Sequence, residues 1–258
     1  MSPPARIPPA PIPPAPIPLA PTLTDALLRP ILQADAAGPR ITYYDDDTGE
    51  RIEVSATTLA NWAAKTANLL RDELDVQPGD RVAVLLPAHW QTAAVLLGVW
   101  WCGAVVTDPA APLAGEVEVA LCTADGLADA ERAPEVAVLS LDAFGRSVDD
   151  LPPGVLDYAS AVRVHGDAFA PSPVPDTAPA LAQRSVAQVL AAATASAHAQ
   201  GFTAQDRVLS TASWSTAAEL VDGLLAVLAA GASLVQVSRA EEAKLTHRIE
   251  VERVTRVR

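Results

Sequence analysis

A short apolar run in the first third of the chain leaves no solvent-facing side. The run is Arg81-Val-Ala-Val-Leu-Leu86, bounded by proline and glycine before it and by Pro87 after it. Such a run predicts a strand buried on both faces, as in a parallel sheet covered by helices. An apolar segment over residues 91–102 and then Gly103-Ala-Val-Val106 follow. This order predicts a strand, a helix and a second parallel strand.

The same elements occur twice. The first set is Asp80-Arg-Val82, Trp90-Gln-Thr-Ala-Ala94 and Gly103-Ala104, and the second, in the same order, is Asp206-Arg-Val208, Trp214-Ser-Thr-Ala-Ala218 and Gly231-Ala232. Shared order across three elements indicates a duplication. The predicted fold class is therefore α/β, with two similar α/β halves whose mainly parallel sheets are flanked by helices.

Composition shifts divide the chain. Residues 1–21 contain an Ile-Pro-Pro-Ala-Pro repeat, which predicts a disordered proline-rich tail. Such a tail is either a spacer or a segment that docks on a proline-binding domain. A third alternative is that translation starts downstream, near Leu23. Residues 22–145 are the predicted first half, and an antiparallel hairpin is expected within residues 41–55. Residues 146–182 are a Pro- and Asp-rich linker, of which 146–179 are predicted to be loop, and 183–258 are the second half, predicted to be incomplete.

Charge and hydropathy exclude several function classes. The formal charge is -13 and no run of Lys and Arg is present, which argues against nucleic-acid binding. The longest uncharged apolar run, residues 93–106, is too short for a membrane span of about 20 residues. With no secretory signal and two cysteines in apolar segments, we expect a cytoplasmic protein without disulfides.

Motifs for catalysis are absent. The chain has no G-x-S-x-G segment, and its four histidines lie far apart without acidic or cysteine partners at ligand spacing. Adjacent aspartates at 45–47 lack the spacing of a calcium loop and predict a solvated turn. We therefore predict no catalytic, cofactor-binding or metal-binding residues.

Three residues are candidates for ligand binding. His89 and Trp90 follow the carboxyl end of a predicted parallel strand, where open α/β sheets bind ligands, and Trp214 holds the equivalent place in the second half. The alternative is that these large side chains only pack at the sheet edge or between the halves.

A family resemblance follows from these motifs. Three consecutive segments resemble the amino-terminal region of the adenylate-forming superfamily, the AMP-forming acyl-CoA synthetases. They are Val76-Gln-Pro-Gly-Asp-Arg-Val-Ala-Val-Leu-Leu-Pro87, the apolar helix after it and Gly103-Ala-Val-Val106. Residues 204–209 and 224–235 resemble its second subdomain, so that the resemblance covers most of residues 22–258. It is closest to a group of short family members with no assigned activity.

The resemblance implies where ATP would bind. In that family a Ser/Thr/Gly-rich loop ending in Pro-Lys wraps the ATP phosphates before the helix that matches residues 185–198. The corresponding residues here, 171–183, contain neither glycine nor lysine, and proline removes four N–H donors. The family's later elements, including the lid with its catalytic lysine, would lie beyond Arg258.

Two functional hypotheses remain open. The first is a degenerate, truncated domain that no longer adenylates, needs no cofactor and acts by binding or protein interaction in the groove between the halves. The second is a synthetase fragment, using ATP and magnesium, that is active only when a partner chain supplies the loop and lid. In either case self-association or a partner chain is expected to cover apolar surface at the truncated edge.

Overall fold

Helices and strands alternate along the part of the chain that the computed structural model describes, residues 19–143 and 145–258. The helices are α1 (Leu23–Asp35), α2 (Ala56–Asp72), α3 (Trp90–Trp101), α4 (Leu127–Ala130), α5 (Tyr158–Val162), α6 (Val186–Ala199), α7 (Ala217–Leu220), α8 (Ala226–Ala229) and α9 (Glu242–Val251). The strands are β1 (Leu19–Ala20), β2 (Pro39–Asp45), β3 (Arg51–Ser55), β4 (Arg81–Leu85), β5 (Val105–Val106), β6 (Val119–Cys122), β7 (Glu135–Val138), β8 (Val155–Asp157), β9 (Val174–Pro175), β10 (Pro179–Leu181), β11 (Arg184–Ser185), β12 (Arg207–Ser210), β13 (Ser233–Ser238) and β14 (Arg256–Val257).

Most of the strands form two sheets that are mainly parallel. The first sheet has the order β11-β10-β5-β4-β6-β7-β8, and only the β10–β11 pair is antiparallel. The second has the order β14-β12-β13-β2-β3, and only the β2–β3 hairpin is antiparallel. The predicted α/β class with mainly parallel sheets is confirmed.

Apolar contacts arrange the sheets and helices in layers. One continuous core joins residues of both sheets through α1, α2, α3 and α6. On the far side of the first sheet, Ala120 and Cys122 pack with Leu127 and Ala130 of α4. On the far side of the second sheet, strands β12 and β13 pack against α9. Each sheet is therefore covered by helices on both faces, which explains its continuous apolar strands.

The repeated sequence elements form two equivalent parallel units. In one, β4 is followed by α3 and pairs in parallel with β5. In the other, β12 is followed by α7, a π-helical turn at Val221–Leu225 and α8, and pairs in parallel with β13. Gly103 and Gly231 end the two helices at φ angles of 75° and 72°, a region that favours glycine.

Strand pairing does not follow the chain order that the predicted boundaries assume. The hairpin β2–β3, which lies within predicted half 22–145, pairs through β2 with β13 of the second half. Conversely, β10 pairs with β5 in the first sheet and carries β11 with it. The boundaries 22–145, 146–182 and 183–258 stay predictions, but each sheet contains strands from both sides of the linker.

The predicted tail and linker are more ordered than expected where the structure describes them. Residues 1–18 of the predicted tail lie outside the described residues, whereas Leu19–Ala20 pair antiparallel with Val174–Pro175. The prediction that residues 146–179 are loop is wrong for β8, α5 and β9. These elements are too short to show a periodicity, and backbone hydrogen bonds to other strands fix β8 and β9.

Every helix within the described ranges is too short or too polar to reach across a bilayer.

Helices α2 and α3 approach closely at Gly98, which suggests a test of the central layer. A Cβ atom at Gly98 would lie 2.7 Å from the Thr66 Cβ and 3.0 Å from the Ala63 carbonyl oxygen. We predict that Gly98→Ala lowers the free energy of unfolding by about 1–3 kcal/mol, because the helices must separate. Gly126→Ala is the matched control, since its Cβ would meet Cys122 at an ordinary 3.4 Å. Equal stability of the two variants in urea unfolding would contradict this packing.

Candidate functional site

A cavity lies where the two sheets meet. Its volume is about 810 Å³. One wall is the hairpin of the second sheet, from Asp45 to Ile52, and the other is formed by residues that follow β4, β6 and β7 of the first sheet. Because the carboxyl ends of parallel strands share one edge, the cavity lies where open α/β sheets bind ligands. The second-sheet residue Arg239 completes the lining.

His89, the first candidate from the sequence, lines this cavity. It caps α3, and its Nδ1 accepts a hydrogen bond from the Gln91 backbone N–H at 3.2 Å. The side chain is 2 % exposed, and burial lowers the pKa of His89, opposed by neighbouring Glu50. The ring is therefore neutral near pH 7, and because Nδ1 is an acceptor the proton is on Nε2. Nε2 faces Glu50 Oε1 at 3.7 Å.

Trp90 and Trp214 occupy different surroundings. Trp90 lies 5.7 Å from His89 between ring centroids, but its indole packs edge-on against Trp62 at 5.4 Å. Trp214 stands in the loop before α7 with φ of 58°, and it lines neither the large cavity nor the smaller one beside it. Both indoles are buried, and their Nε1 atoms have no hydrogen-bond partner among the described residues. Ligand binding by His89, Trp90 and Trp214 stays a prediction.

The aspartate triplet holds the hairpin wall in place, which corrects the prediction of a solvated turn. Asp46 is buried and its carboxylate accepts hydrogen bonds from Arg248 at 2.7 and 3.2 Å. Asp45, also buried, is paired with Arg239. Only Asp47 has an exposed side chain, at 66 %. The sequence signal was present as three adjacent aspartates, but their partners lie about 200 residues away, with separations of 194 and 202 positions.

The stretch that the resemblance matches to the phosphate-binding loop, residues 171–183, contains β9 and β10 and ends in a tight turn. Strand β10 ends at Leu181 and β11 begins at Arg184, so that only Ala182 and Gln183 connect them. Ala182 has a φ of 53°, and its N–H donates to the Val106 carbonyl. Helix α6 follows at once, capped by Ser185 and Gln188. The turn is built by backbone pairing and offers no loop of free N–H groups.

Metal-binding and thiol chemistry find no support in the described residues. No group of three His, Cys, Asp or Glu side chains within residues 19–143 and 145–258 is placed to hold a metal ion. Cys102 and Cys122 are both buried and free, and burial raises the pKa of Cys102 to about 12 and that of Cys122 to about 11. Their thiols are therefore protonated and unreactive near pH 7.

Comparison with known proteins identifies the family. A TIGR03089 family protein of Mycobacterium tuberculosis (strain ATCC 25618 / H37Rv) is 63 % identical over 243 residues, which cover 92 % of this chain and 98 % of the relative. The chain belongs to the TIGR03089 family. The relative's name states no activity.

Wider comparisons confirm the resemblance to the adenylate-forming superfamily. The family model for AMP-binding enzymes matches residues 32–130. A Brucella canis acyl-CoA synthetase has a similar fold, with a TM-score of 0.76 and 19 % identity, covering 92 % of this chain and 46 % of that one. An anthranilate CoA ligase, solved with anthranoyl-AMP, gives a TM-score of 0.73 and 14 % identity over 93 % of this chain and 50 % of its own. A Burkholderia xenovorans LB400 benzoate CoA ligase gives 0.67 and 19 %, covering 92 % of this chain and 49 % of its own.

These coverages define the relation between the chains. This chain spans about half the length of the three solved synthetases and ligases. It covers 98 % of the Mycobacterium tuberculosis relative.

The buried pair Asp46–Arg248 should control the cavity wall. We predict that Asp46→Asn lowers the free energy of unfolding by about 3 kcal/mol, because the buried guanidinium loses its counter-charge. Asp47→Asn, at the exposed neighbour, should cost less than about 1 kcal/mol. Urea unfolding of both variants measures the difference, and similar small losses would contradict the assignment.

The same pair gives a pH dependence. The hydrogen bond from Arg248 holds the pKa of Asp46 below its ordinary value of 3.8. Its stabilising contribution is therefore complete above that value and is lost as pH falls through the lower folded-state pKa. The wild-type protein should lose more stability than Asp46→Asn between about pH 4 and pH 2.

Proposed function

We propose that this chain is an acyl-CoA synthetase-like domain that does not adenylate and that acts by binding a ligand in the cavity between the two sheets. The observation that carries the proposal is the two-residue connection Ala182–Gln183. In the superfamily that the chain resembles, this position belongs to the loop that wraps the ATP phosphates.

Physical chemistry explains why the turn is a poor phosphate site. A phosphate is bound by several converging N–H groups and usually a Lys side chain. Here the Ala182 N–H already donates to Val106, and the two lysines, Lys65 and Lys244, form ion pairs with Asp167 and Glu241. The residues that replace the loop therefore supply neither the donors nor the charge.

The cavity supports a binding role. It has the size of a small-molecule site and lies at the edge where such folds bind ligands. His89 is the candidate residue that lines it. The two free cysteines favour the cytoplasm as the location in which it acts.

An exchange assay tests the loss of adenylation. We predict that the full chain, with ATP, magnesium, labelled pyrophosphate and a panel of aliphatic and aromatic carboxylic acids, gives no exchange above background, because ATP phosphates are not held. A full-length acyl-CoA synthetase serves as the positive control. Acid-dependent exchange by the isolated chain would refute the proposal.

A second candidate function is a fragment that adenylates only with a partner chain. It is favoured by helix α6, which contains no charged residue and exposes part of its surface. Its exposed side is lined by a set of uncharged or weakly basic residues, Ala187, Leu190, Ala191, Thr194, Ala195 and His198. A helix that is apolar nearly all round is usually covered. We propose that another chain, either a second copy or a partner, covers this side of α6.

Light scattering with size exclusion tests the α6 surface. Ala191→Glu places a charge on it, and we predict that the variant dissociates where the wild-type chain associates, since the charge would be desolvated on contact. Val164→Glu is the control, because Val164 is 79 % exposed and lies outside the helix. A wild-type chain that stays monomeric at all concentrations, alone and with proteins encoded beside it, would exclude the covered surface.

A further inference from the structure

The charges around the cavity are unequal. Its lining carries four carboxylates, Asp45, Glu50, Asp125 and Asp142, against the two guanidinium groups of Arg51 and Arg239. Among the described lining residues, the one other ionisable nitrogen group is that of His89, which is neutral near pH 7 because burial lowers its pKa. The described wall is thus negative overall, which disfavours an anionic ligand.

Neither guanidinium is available to receive an anion. Arg239 is paired with Asp45 and lies 2.9 Å from Asp47 Oδ2. Arg51 donates through Nε to Tyr44 and Glu252, at 2.9 and 3.0 Å, and its Nη2 lies 3.0 Å from Glu53 Oε2. Each positive charge in the lining is already neutralised by two carboxylates.

Glu50 is in the opposite situation. Its carboxylate is only 17 % exposed, and no hydrogen-bond donor reaches Oε1 among the described residues. Partly buried carboxylates normally accept several hydrogen bonds or pair with a cation. Glu50 therefore lines the cavity as a poorly solvated charge without a counter-ion.

His89 keeps this charge in place without neutralising it. The ring is 2 % exposed and lines the cavity, and its Nε2 has no hydrogen-bond partner in the described part of the chain. Nε2 faces Glu50 Oε1, but the separation of 3.7 Å is too long for a hydrogen bond. Oε1 is thus buried against the weak dipole of the neutral ring, and an incoming group meets the remaining exposed part of the Glu50 carboxylate, which lines the cavity without a cationic partner among the described residues.

We propose, building on the proposed ligand cavity, that it recognises a small organic cation with N–H donors, such as a protonated amine, through Glu50. An ammonium group supplies both the positive charge and the donors that this carboxylate lacks. Asp125, exposed at the end of β6, adds attraction at the cavity mouth. A ligand carrying a carboxylate or phosphate would instead face a cavity lining that is negative overall and whose two arginines are already paired with carboxylates.

Two probes matched in length and opposite in charge test this inference. Calorimetric titration of the full chain with n-hexylammonium and with hexanoate, at about pH 7 where both are ionised, should show saturable binding of the amine alone. Glu50→Gln should weaken amine binding at least about tenfold, because a charge-assisted hydrogen bond is lost. Glu131→Gln, which removes an exposed carboxylate outside the cavity, should bind like the wild type.

A stability measurement separates recognition from a structural role. If Glu50 serves the ligand, Glu50→Gln removes a poorly solvated charge and its Tm is no lower than that of the wild type. Asp125→Asn, at an exposed position, provides a second variant with weaker amine binding.

Three results would overturn the inference: hexanoate binding as tightly as the amine, no saturable binding of the amine, or unchanged binding by Glu50→Gln. The proposed loss of adenylation is judged separately by pyrophosphate exchange. If the amine fails to bind, the proposal of cation recognition fails while the proposed loss of adenylation stands. If pyrophosphate exchange is found, the proposed loss of adenylation fails, and amine binding through Glu50 is still judged by the titrations.

Discussion

The parallel pairing of β13 with β2 joins segments from opposite ends of the chain. Five residue pairs, from Leu234–Ile41 to Ser238–Asp45, join the amino-terminal hairpin to the second sheet. This pairing carries the hairpin loop to the carboxyl edge of the first sheet, where Ser238 Oγ donates to the Ala88 carbonyl at 2.9 Å. Without it, Asp45, Glu50 and Arg239 would not share a cavity with His89. The candidate site is therefore a product of long-range pairing and not of any local motif.

Much of the framework was predictable because its signals are local. The run at β4 has no polar face and must be buried in a parallel sheet, and glycine at positions 103 and 231 ends the following helices in both repeated units. The sheet to which the hairpin belongs was not predictable in this way. Alternation of Ile41 and Tyr43 fits any neighbouring strand equally well, and only the tertiary structure selects β13.

The candidate site was predicted in part for the same reason. His89 follows the end of β4, a position that fold geometry alone marks as a ligand edge, and it does line the cavity. The aspartates of the hairpin were interpreted as solvent-exposed because nothing near them in sequence neutralises them. Arg248, which does so for Asp46, lies on α9 at a separation of 202 residues. Glu50 gave no sequence signal, since its importance lies in the donors it lacks.

In the proposed function, the chain keeps a fold similar to that of the acyl-CoA synthetases, and the turn Ala182–Gln183 replaces the means of holding nucleotide phosphates. The family assignment and the similar folds describe the framework, and the turn and the negative cavity are the features on which the two proposals are based. Calorimetric titration of the full chain with ATP and magnesium tests this proposal. We predict no saturable heat of binding, and saturable binding of ATP that is abolished by substitutions at Ala182 or Gln183 would contradict the proposal.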